Sequence, residues 1–245
     1  PPCCARDNMR HLFISDLHLI EARPDVAAAF EAFLCRETNN ADSLYILGDL
    51  FEVWLGDDHV TAFNDRIKAA IAAATCPKYL MHGNRDFLLG QQFCADTGMQ
   101  LIDDPTPVDM DGTQALLLHG DTLCTQDTAY LEARKMLRDH AFQVEFLGRS
   151  IEERAAFAAS IRAESKLHTG TTATEIMDVT PAEVEAVLSD AGLNCMIHGH
   201  THRPQVHDFD LGGRSAQRIV LGDWDRQGWY VTMRDGVPSL TAFDI

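Results

Sequence analysis

The chain has 245 residues, of which 46% are hydrophobic, and its 37 acidic against 20 basic residues give a formal net charge of −17 at pH 7. This acidic balance argues against general nucleic-acid binding, which depends on clustered lysine and arginine, and no apolar run approaches the roughly 18 to 20 residues of a transmembrane helix. The length suits one large α/β domain. The surplus of carboxylates fits a solubilising surface, a site for cations, or both.

Residues 1–8 show no hydrophobic periodicity and precede Met9, so we expect a disordered extension or a segment foreign to the natural protein. The remainder, 9–245, is predicted to be a single domain. The start of the chain lacks the basic and apolar segments of a signal peptide, and the seven cysteines include no C-x-x-C pair. Both features predict a protein of the reducing cytoplasm.

Five short apolar runs each end in a cluster of Asp, His, Asn and Gly. The runs predict buried strands at 11–14, 44–47, 78–81, 115–118 and 193–197. The clusters that follow are Ser15-Asp16-Leu17-His18, Gly48-Asp49, His82-Gly83-Asn84-Arg85-Asp86, His119-Gly120-Asp121 and His198-Gly199-His200-Thr201-His202. Residues two apart in extended backbone share a face, so Asp16 with His18, and His200 with His202, are predicted to point the same way. Five such clusters in step with five strands indicate one functional site beyond the strand ends.

Helical periodicity predicts helices from Asp25 and over 62–74, and it continues unbroken between about 127 and 190. This long stretch interrupts the alternation of strands and helices and predicts a helical insertion, or lid. Thr180, Pro181 and Glu183 predict a capped helix start within it. After the histidine cluster, strands at 218–221 and 229–233 are predicted to complete a second sheet.

The predicted lid concentrates cationic side chains in an otherwise acidic chain. They form either an ordinary solvated helix surface or a surface that faces an anion. These residues are Arg134, Lys135, Arg138, Arg149, Arg154, Arg162 and Lys166.

The clusters combine imidazole, carboxylate and amide groups without thiolate, a donor set that suits Mn²⁺, Fe²⁺, Mg²⁺ or Zn²⁺. Asp49 is the natural bridge, since each of its oxygens can bind a different ion. Two ions about 3.5–4 Å apart can clamp a phosphate and make a water molecule between them more acidic. The predicted reaction is hydrolysis of a phosphoester or phosphoanhydride.

The ordered motifs Asp16-x-His18, Gly48-Asp49, Gly83-Asn84, His119 and Gly199-His200-Thr201-His202 resemble the calcineurin-like metallophosphoesterases over about residues 10–222. The resemblance implies an α/β fold, a β-sandwich flanked by helices with a helical lid insertion. It also implies two divalent metal ions. One would be held by Asp16, His18, Asp49 and His202, and the other by Asp49, Asn84, His119 and His200.

Two departures from the general family narrow the resemblance. Glu52 replaces the second Asp of the usual Gly-Asp-x-x-Asp, and Arg85 replaces the His that commonly follows the Asn. An arginine offers a charged fork to phosphate rather than a titrating proton donor. With both departures, the chain is similar to the branch that hydrolyses UDP-2,3-diacylglucosamine.

That branch implies Mn²⁺-dependent cleavage of the pyrophosphate to UMP and 2,3-diacylglucosamine 1-phosphate in lipid A biosynthesis. The enzyme would work at the cytoplasmic face of the inner membrane, with the lid covering the acyl chains. The implied catalytic residues are Asp49, Asn84, Arg85 and His200. The implied substrate contacts are Asn84, Arg85, Asp127, Ser165, Thr169, Thr172 and His200, although the branch usually carries other polar residues, including a Lys, where Thr169 and Thr172 stand.

Two alternatives to the lipid hydrolase remain at this stage. The enzyme could act on a soluble nucleotide as a phosphodiesterase or phosphatase, or the fold could be a binding scaffold without chemistry. The scaffold fits poorly, because all seven expected ligand positions are filled.

In the lid, Phe142, Phe146 and Leu147 could contact the membrane or form lid core.

Overall fold

The computed structural model describes residues 9–110, 112–171 and 178–245, and of 164–171 it describes the backbone alone. These residues form seven α-helices and eleven β-strands. The helices are α1 (Pro24–Glu37), α2 (Ala62–Ala73), α3 (Gln91–Thr97), α4 (Thr128–Leu137), α5 (His140–Leu147), α6 (Ile151–Thr171) and α7 (Pro181–Ala191). The strands are β1 (Arg10–Ile14), β2 (Ser43–Leu47), β3 (Lys78–Met81), β4 (Met99–Ile102), β5 (Thr106–Met110), β6 (Thr113–Leu117), β7 (Cys195–His198), β8 (Gln205–Leu211), β9 (Arg214–Val220), β10 (Gln227–Arg234) and β11 (Val237–Asp244). The predicted extension, 1–8, lies outside the described residues.

Two β-sheets form the centre of the fold, as the expected sandwich requires. The first has the strand order β11-β10-β1-β2-β3-β4, and the second has the order β5-β6-β7-β9-β8. Strands β1 to β4 are parallel, and so are β6, β7 and β9. The carboxyl ends of the five predicted strands therefore collect at one end of the two sheets.

Successive side chains along these strands point to opposite faces of the sheet. Both faces are covered, which explains why the strands are continuous apolar runs in the sequence. In β2, Ile46 packs with residues of α1 and α2, whereas Tyr45 faces the second sheet. In β6, Leu117 faces the first sheet and Leu116 packs with residues of α7. Because both faces are buried over 44–47 and 115–117, apolar side chains occupy every position there. The layers are helix, sheet, sheet and helix.

The two strands predicted after the histidine cluster do not share a sheet. The one at 218–221 belongs to β9 in the second sheet, but the one at 229–233 belongs to β10, which pairs antiparallel with β1 in the first. The prediction that both complete a second sheet is therefore wrong. The chain crosses between the sheets near Trp224, whose ring is buried against Phe30 and Phe33 of α1.

The helices predicted between 127 and 190 are present as α4 to α7, but the start of α7 differs from its prediction. Pro181 is the first helical residue, yet the side chain of Thr180 makes no capping hydrogen bond. Its hydroxyl pairs with that of Thr125 at 2.6 Å. The predicted side-chain cap is wrong because a partner 55 residues away competes for this hydroxyl.

Within the described part of the chain, no helix combines the length and the apolar character that crossing a membrane requires.

Phe33 is fully buried, and its ring packs against those of Trp224, Tyr230 and Phe243. We expect Phe33→Ala to lower the free energy of unfolding by about 3–5 kcal/mol, because it removes these contacts and leaves a cavity. Urea unfolding followed by circular dichroism measures the change. The exposed Val237→Ala is the control and should stay within about 0.5 kcal/mol of the unsubstituted protein. Equal losses in the two variants would contradict the assignment of Phe33 to the core.

Candidate metal centre and cavity

The clusters at the strand ends are tied to one another by main-chain contacts. The amide of Asp16 donates to the carbonyl of Gly48 at 3.1 Å, which joins the loops after β1 and β2. The amide of His200 donates to the carboxylate of Asp16, at 3.0 Å to Oδ2 and 3.2 Å to Oδ1. The second of these contacts crosses from one sheet to the other. Side chains from both sheets therefore meet at one place.

The predicted extended backbone of these clusters is wrong. Asp16, His18, Asp49, His200 and His202 all have positive φ, with values of 56°, 48°, 52°, 66° and 54°. Residues with a Cβ adopt this left-handed region at a cost of about 1–3 kcal/mol each, and such strain concentrates at functional sites. The side chains converge because the chain turns sharply at each of them.

The first donor set lies where the loops after β1 and β7 meet. The Nε2 atoms of His18 and His202 are 3.2 Å apart. His202 Nε2 is 3.4 Å from Asp16 Oδ1, and His18 Nε2 is 3.8 Å from Asp49 Oδ2. Two ligand atoms at right angles around an ion, each about 2.1 Å from it, are about 3 Å apart. These side chains are spaced as ligands of one small divalent ion.

The second donor set shares Asp49 and lies deeper. Asn84 Oδ1 is 3.0 Å from His119 Nε2 and 3.1 Å from His200 Nδ1. His119 is fully buried, and its Nε2 is 3.9 Å from Asp49 Oδ1. The seven predicted ligands are thus brought together, and Asp16 lies within ligand distance both of His18 and His202 and of Asp49 and His119. That they hold ions stays a prediction.

Two glycines make room for the carboxylates. A Cβ on Gly83 would lie 2.1 Å from Asp49 Oδ1, and a Cβ on Gly199 would lie 2.1 Å from Asp16 Oδ2. Any side chain at either position would displace a carboxylate from the site. The donor chemistry and this close packing both fit small divalent cations.

The electrostatic field of the site favours positive charge. Burial disfavours a charged His18, but its hydrogen bond with Glu52 and the charge of Asp49 raise its pKa to about 9. Burial likewise opposes a charged His119, and the nearby carboxylates, Asp49 first, raise its pKa to about 9. His200 is different, since burial and the charge of His119 lower its pKa to about 4. The carboxylates stabilise a cation here, whether it is a proton or a metal ion.

The two departures from the general family lie next to each other. Glu52 Oε2 is 3.1 Å from His18 Nδ1, and Glu52 Oε1 is 4.0 Å from Arg85 Nη1. The amide of Arg85 donates to Asp49 Oδ1 at 2.8 Å. Glu52 therefore lies between the imidazole of His18, whose Nε2 faces the donor set, and the guanidinium of Arg85 at the edge of the site.

Asp86 is a functional position to which the sequence analysis gave no role. Its carboxylate is fully buried and accepts hydrogen bonds from the amides of Leu50 at 2.7 Å and Gly83 at 2.9 Å. Burial and the charge of Asp49 raise its pKa. It fixes the loop of Asp49 against the loop of Asn84. No local signal could have identified it, since one of its donors is 36 residues away.

A cavity of about 550 Å³ opens from the donor sets toward the helices α4 to α6. Its polar end is formed by Asn84, Arg85, His200 and His202. Its far end is apolar, with the rings of Phe146 and Phe157 5.2 Å apart. The apolar lining residues include Val53, Trp54, Leu55, Phe87, Leu88, Ala129, Ala133, Leu137, Phe142, Phe146, Phe157, Ala158 and Ile161.

The predicted substrate contacts in the lid have different outcomes. Asp127 lines the cavity, and its side chain also caps α4 by accepting from the amide of Tyr130 at 3.0 Å. Ser165 and Thr169 lie on α6 where side chains are not described, and Thr172 lies outside the described residues. The sequence analysis missed Tyr130, whose ring lies 5.9 Å from that of His200.

The lid cations fit neither of the two predicted roles as a group. Arg134 and Arg138 contact the loops of the donor sets, and Arg154 pairs with Asp58. Lys135 and Arg149 form exposed pairs with neighbouring glutamates. Arg162 lines the cavity, and the side chain of Lys166 is not described. Three of the seven thus fasten the lid to the body of the protein.

The sequence matches the calcineurin-like phosphoesterase family over residues 9–204. The chain belongs to this family. A relative from Azotobacter vinelandii named UDP-2,3-diacylglucosamine hydrolase is 47% identical over 240 residues, covering 97% of this chain and 100% of its own. A Pseudomonas aeruginosa protein of the same name is 47% identical over 224 residues, covering 90% and 93%. The family and the branch predicted from the motifs are confirmed.

Membership of this family implies divalent metal ions, and the two donor sets are where the described residues could hold them. Among solved structures, one of a novel archaeal phosphodiesterase has a TM-score of 0.52 at 13% identity, covering 97% of this chain and 100% of that one. Vacuolar protein sorting 29 from Cryptosporidium parvum has a TM-score of 0.50 at 12% identity, covering 98% of both chains. At such identities, these matches show the fold alone.

Glu52→Gln tests the orientation of His18. The neutral amide weakens the hold on His18 Nδ1, so we expect the affinity for divalent ions at the first donor set to fall roughly 10-fold. Calorimetric titration with Mn²⁺ measures the affinity. Glu132→Gln is the matched control, because Glu132 is exposed and pairs only with Lys135 among the described residues. Unchanged affinity in Glu52→Gln would show that this carboxylate does not support the ion site.

Proposed function

We propose that this protein hydrolyses the pyrophosphate bond of UDP-2,3-diacylglucosamine to UMP and 2,3-diacylglucosamine 1-phosphate, a step of lipid A biosynthesis. The observation that carries the proposal is the junction of the two donor sets with an apolar cavity. A substrate that fits it has a charged phosphate part and a large apolar part. The shared name of relatives that match nearly the whole chain supports the same substrate.

The shape of the cavity favours a lipid over a soluble nucleotide. The flat base of a free nucleotide would cover only part of the phenylalanine and leucine side chains beneath the lid, and apolar surface left against water stabilises nothing. Burial of apolar area contributes about 25 cal/mol per Å². The lid therefore contributes more binding energy for a substrate with hydrocarbon chains than for a free nucleotide.

Two divalent ions, when bound, supply the positive charge that polarises a phosphoryl group and makes a water molecule acidic enough to attack phosphorus. Asp49, shared by both donor sets, would hold both ions. Asn84 turns its Oδ1 toward His119 and His200, which leaves its amide NH₂ to donate to the substrate. Arg85, whose Nη1 lies 4.0 Å from Glu52 Oε1, would present its guanidinium to the phosphate oxygens.

Arg85 stands where the general family commonly has a histidine, and this replacement suits hydrolysis of a phosphoanhydride. The leaving group is a phosphate whose second pKa is about 6, so it departs without protonation at neutral pH. A general acid is therefore unnecessary. A fixed positive charge that neutralises the departing phosphate is more useful.

Asp49→Ala removes the shared ligand. We expect UMP release from the diacylated UDP-sugar to fall at least about 100-fold, because metal catalysis supplies several kcal/mol of transition-state stabilisation. Product analysis by chromatography measures the rate. Asp65→Ala, at an exposed position of α2, is the control and should retain full activity.

The same assay separates the alternatives. Cyclic AMP and bis-phosphonucleotides, tested under identical conditions, should be hydrolysed far more slowly than the diacylated UDP-sugar, and a preference for either would favour a soluble substrate. Chelated protein resupplied with Mn²⁺, Mg²⁺, Fe²⁺ or Zn²⁺ should recover best with Mn²⁺. Equal turnover in Asp49→Ala would refute the two-metal mechanism.

We also infer that the enzyme works on the cytoplasmic face of the inner membrane, where α5 would contact the lipid. Val144 and Leu147 on this helix are 60% and 39% exposed, whereas Phe146 is only 4% exposed and packs against Phe157. Phe146 thus belongs to the lid core. A net charge of −17 is repelled by anionic lipid, so attachment must depend on the exposed apolar side chains.

The double variant Val144→Asp and Leu147→Asp should lower sedimentation with liposomes at least about 10-fold, because burial of each side chain contributes about 1.5–3 kcal/mol. Hydrolysis of substrate dispersed in detergent should be unaffected. Val237→Asp, equally exposed but on β11, is the control. If the double variant sediments like the unsubstituted protein, α5 is not the membrane contact.

A further inference from the structure

Helix α4 makes charged contacts with two of the loops that carry the second donor set. Tyr130, Arg134 and Arg138, the residue that ends the helix, are spaced four apart and so lie on one face. All three contact the body of the protein through polar atoms. This face of α4 therefore attaches the helix to the body of the protein, in addition to covering the cavity.

Arg134 holds the loop of His119. Its Nε donates to Asp121 Oδ2 at 2.7 Å, and its Nη2 donates to Asp104 Oδ2 at 3.4 Å. Asp121 is two residues beyond His119, and Asp104 accepts from the amide of His119 at 3.3 Å. Tyr130 also donates to Asp121 Oδ2. One guanidinium therefore binds two carboxylates that lie on either side of a candidate ligand.

Arg138 holds the loop of Asn84. Its Nη2 donates to the carbonyl of Gly83 at 2.9 Å and to that of His82 at 3.4 Å. Its guanidinium carbon also lies 5.5 Å from the centroid of the Phe87 ring. Gly83 directly precedes Asn84 and is the glycine that packs on Asp49. A small shift of Arg138 would be transmitted to Asn84 through one peptide unit.

The same helix is a wall of the cavity. Ala129, Ala133 and Leu137 line it together with Tyr130. Any molecule that fills the cavity therefore contacts α4, and the other contacts of α4 fix the loops of Asn84 and His119. Those two side chains meet at 3.0 Å.

We propose that α4 positions the donor set of Asp49, Asn84, His119 and His200, so that binding of a divalent ion is coupled to the order of this helix, which is also a wall of the cavity. Arg134 and Arg138 are its positioning residues. The inference rests on the two-ion site of the proposed function. Coupling of this kind is reciprocal, because an ion that orders the loops must order the helix that holds them.

The test compares Arg138→Met with Lys135→Met in calorimetric titration with Mn²⁺ alone. Methionine keeps an unbranched chain of similar reach but donates no hydrogen bond. We expect Mn²⁺ binding to weaken roughly 10-fold in Arg138→Met. Lys135→Met should bind like the unsubstituted protein, since Lys135 is exposed and pairs with Glu132.

Hydrogen exchange measured by mass spectrometry provides a second readout that a purely structural role would not change. In the unsubstituted protein, Mn²⁺ should slow exchange of the amides of residues 128–137. In Arg138→Met this dependence on the ion should be lost, and in Arg138→Lys, which keeps one charged donor, it should be partly retained. If Arg138→Met does not fold, Arg138→Lys decides the matter through both readouts.

The inference is overturned if both Arg138 variants bind Mn²⁺ like the unsubstituted protein, or if Mn²⁺ leaves exchange in α4 unchanged. Its failure is distinguishable from failure of the proposed function. A protein that releases UMP but shows no coupling refutes only the role of α4. A protein that shows the coupling but does not cleave the diacylated UDP-sugar refutes only the substrate.

Discussion

The carboxylate of Asp16 is the contact on which the geometry of the site depends. It follows the last residues of β1 in the first sheet, is fully buried, and accepts the amide of His200, which follows β7 in the second sheet. Ser15 donates to the same carboxylate at 2.5 Å. Together with the contacts of Asn84 to His119 and His200, this link fixes the ligands supplied by one sheet relative to those supplied by the other. The close approach is possible only because Gly199 has no side chain.

Gathering buried carboxylates in this way is costly unless positive charge is present. The raised pKa values of His18 and His119 show this requirement for positive charge, because the carboxylates stabilise protons on these ligands in the place where a metal ion would bind. The positive φ angles of five ligand residues are another cost, which the surrounding hydrogen bonds overcome. A divalent ion held by these ligands would relieve the charge repulsion and would supply positive charge for a phosphate beside Arg85.

The lid gives the site its substrate class. In this acidic chain, arginines on the lid are used mainly to attach helices to the body: Arg154 at α6, and Arg134 and Arg138 at α4. The apolar side chains between these attachments form the cavity that suits hydrocarbon. The ligand loops and the lipid pocket thus share a wall, and the chemistry at one end cannot be described apart from the packing at the other.

The sequence by itself determined the strands whose two faces are buried, the order of the ligand motifs, and the branch of the family, because each is a local pattern of residue types. Tertiary structure alone decided that β10 joins the first sheet, that Glu52 meets Arg85, and that the hydroxyl of Thr180 pairs with Thr125 instead of capping α7. It also decided the left-handed backbone of the ligand residues, which the two-residue spacing of the motifs had suggested was extended. Hydrophobic periodicity reports which faces of an element are buried, but not the distant residues that bury them. Those partners are fixed only when the whole chain packs.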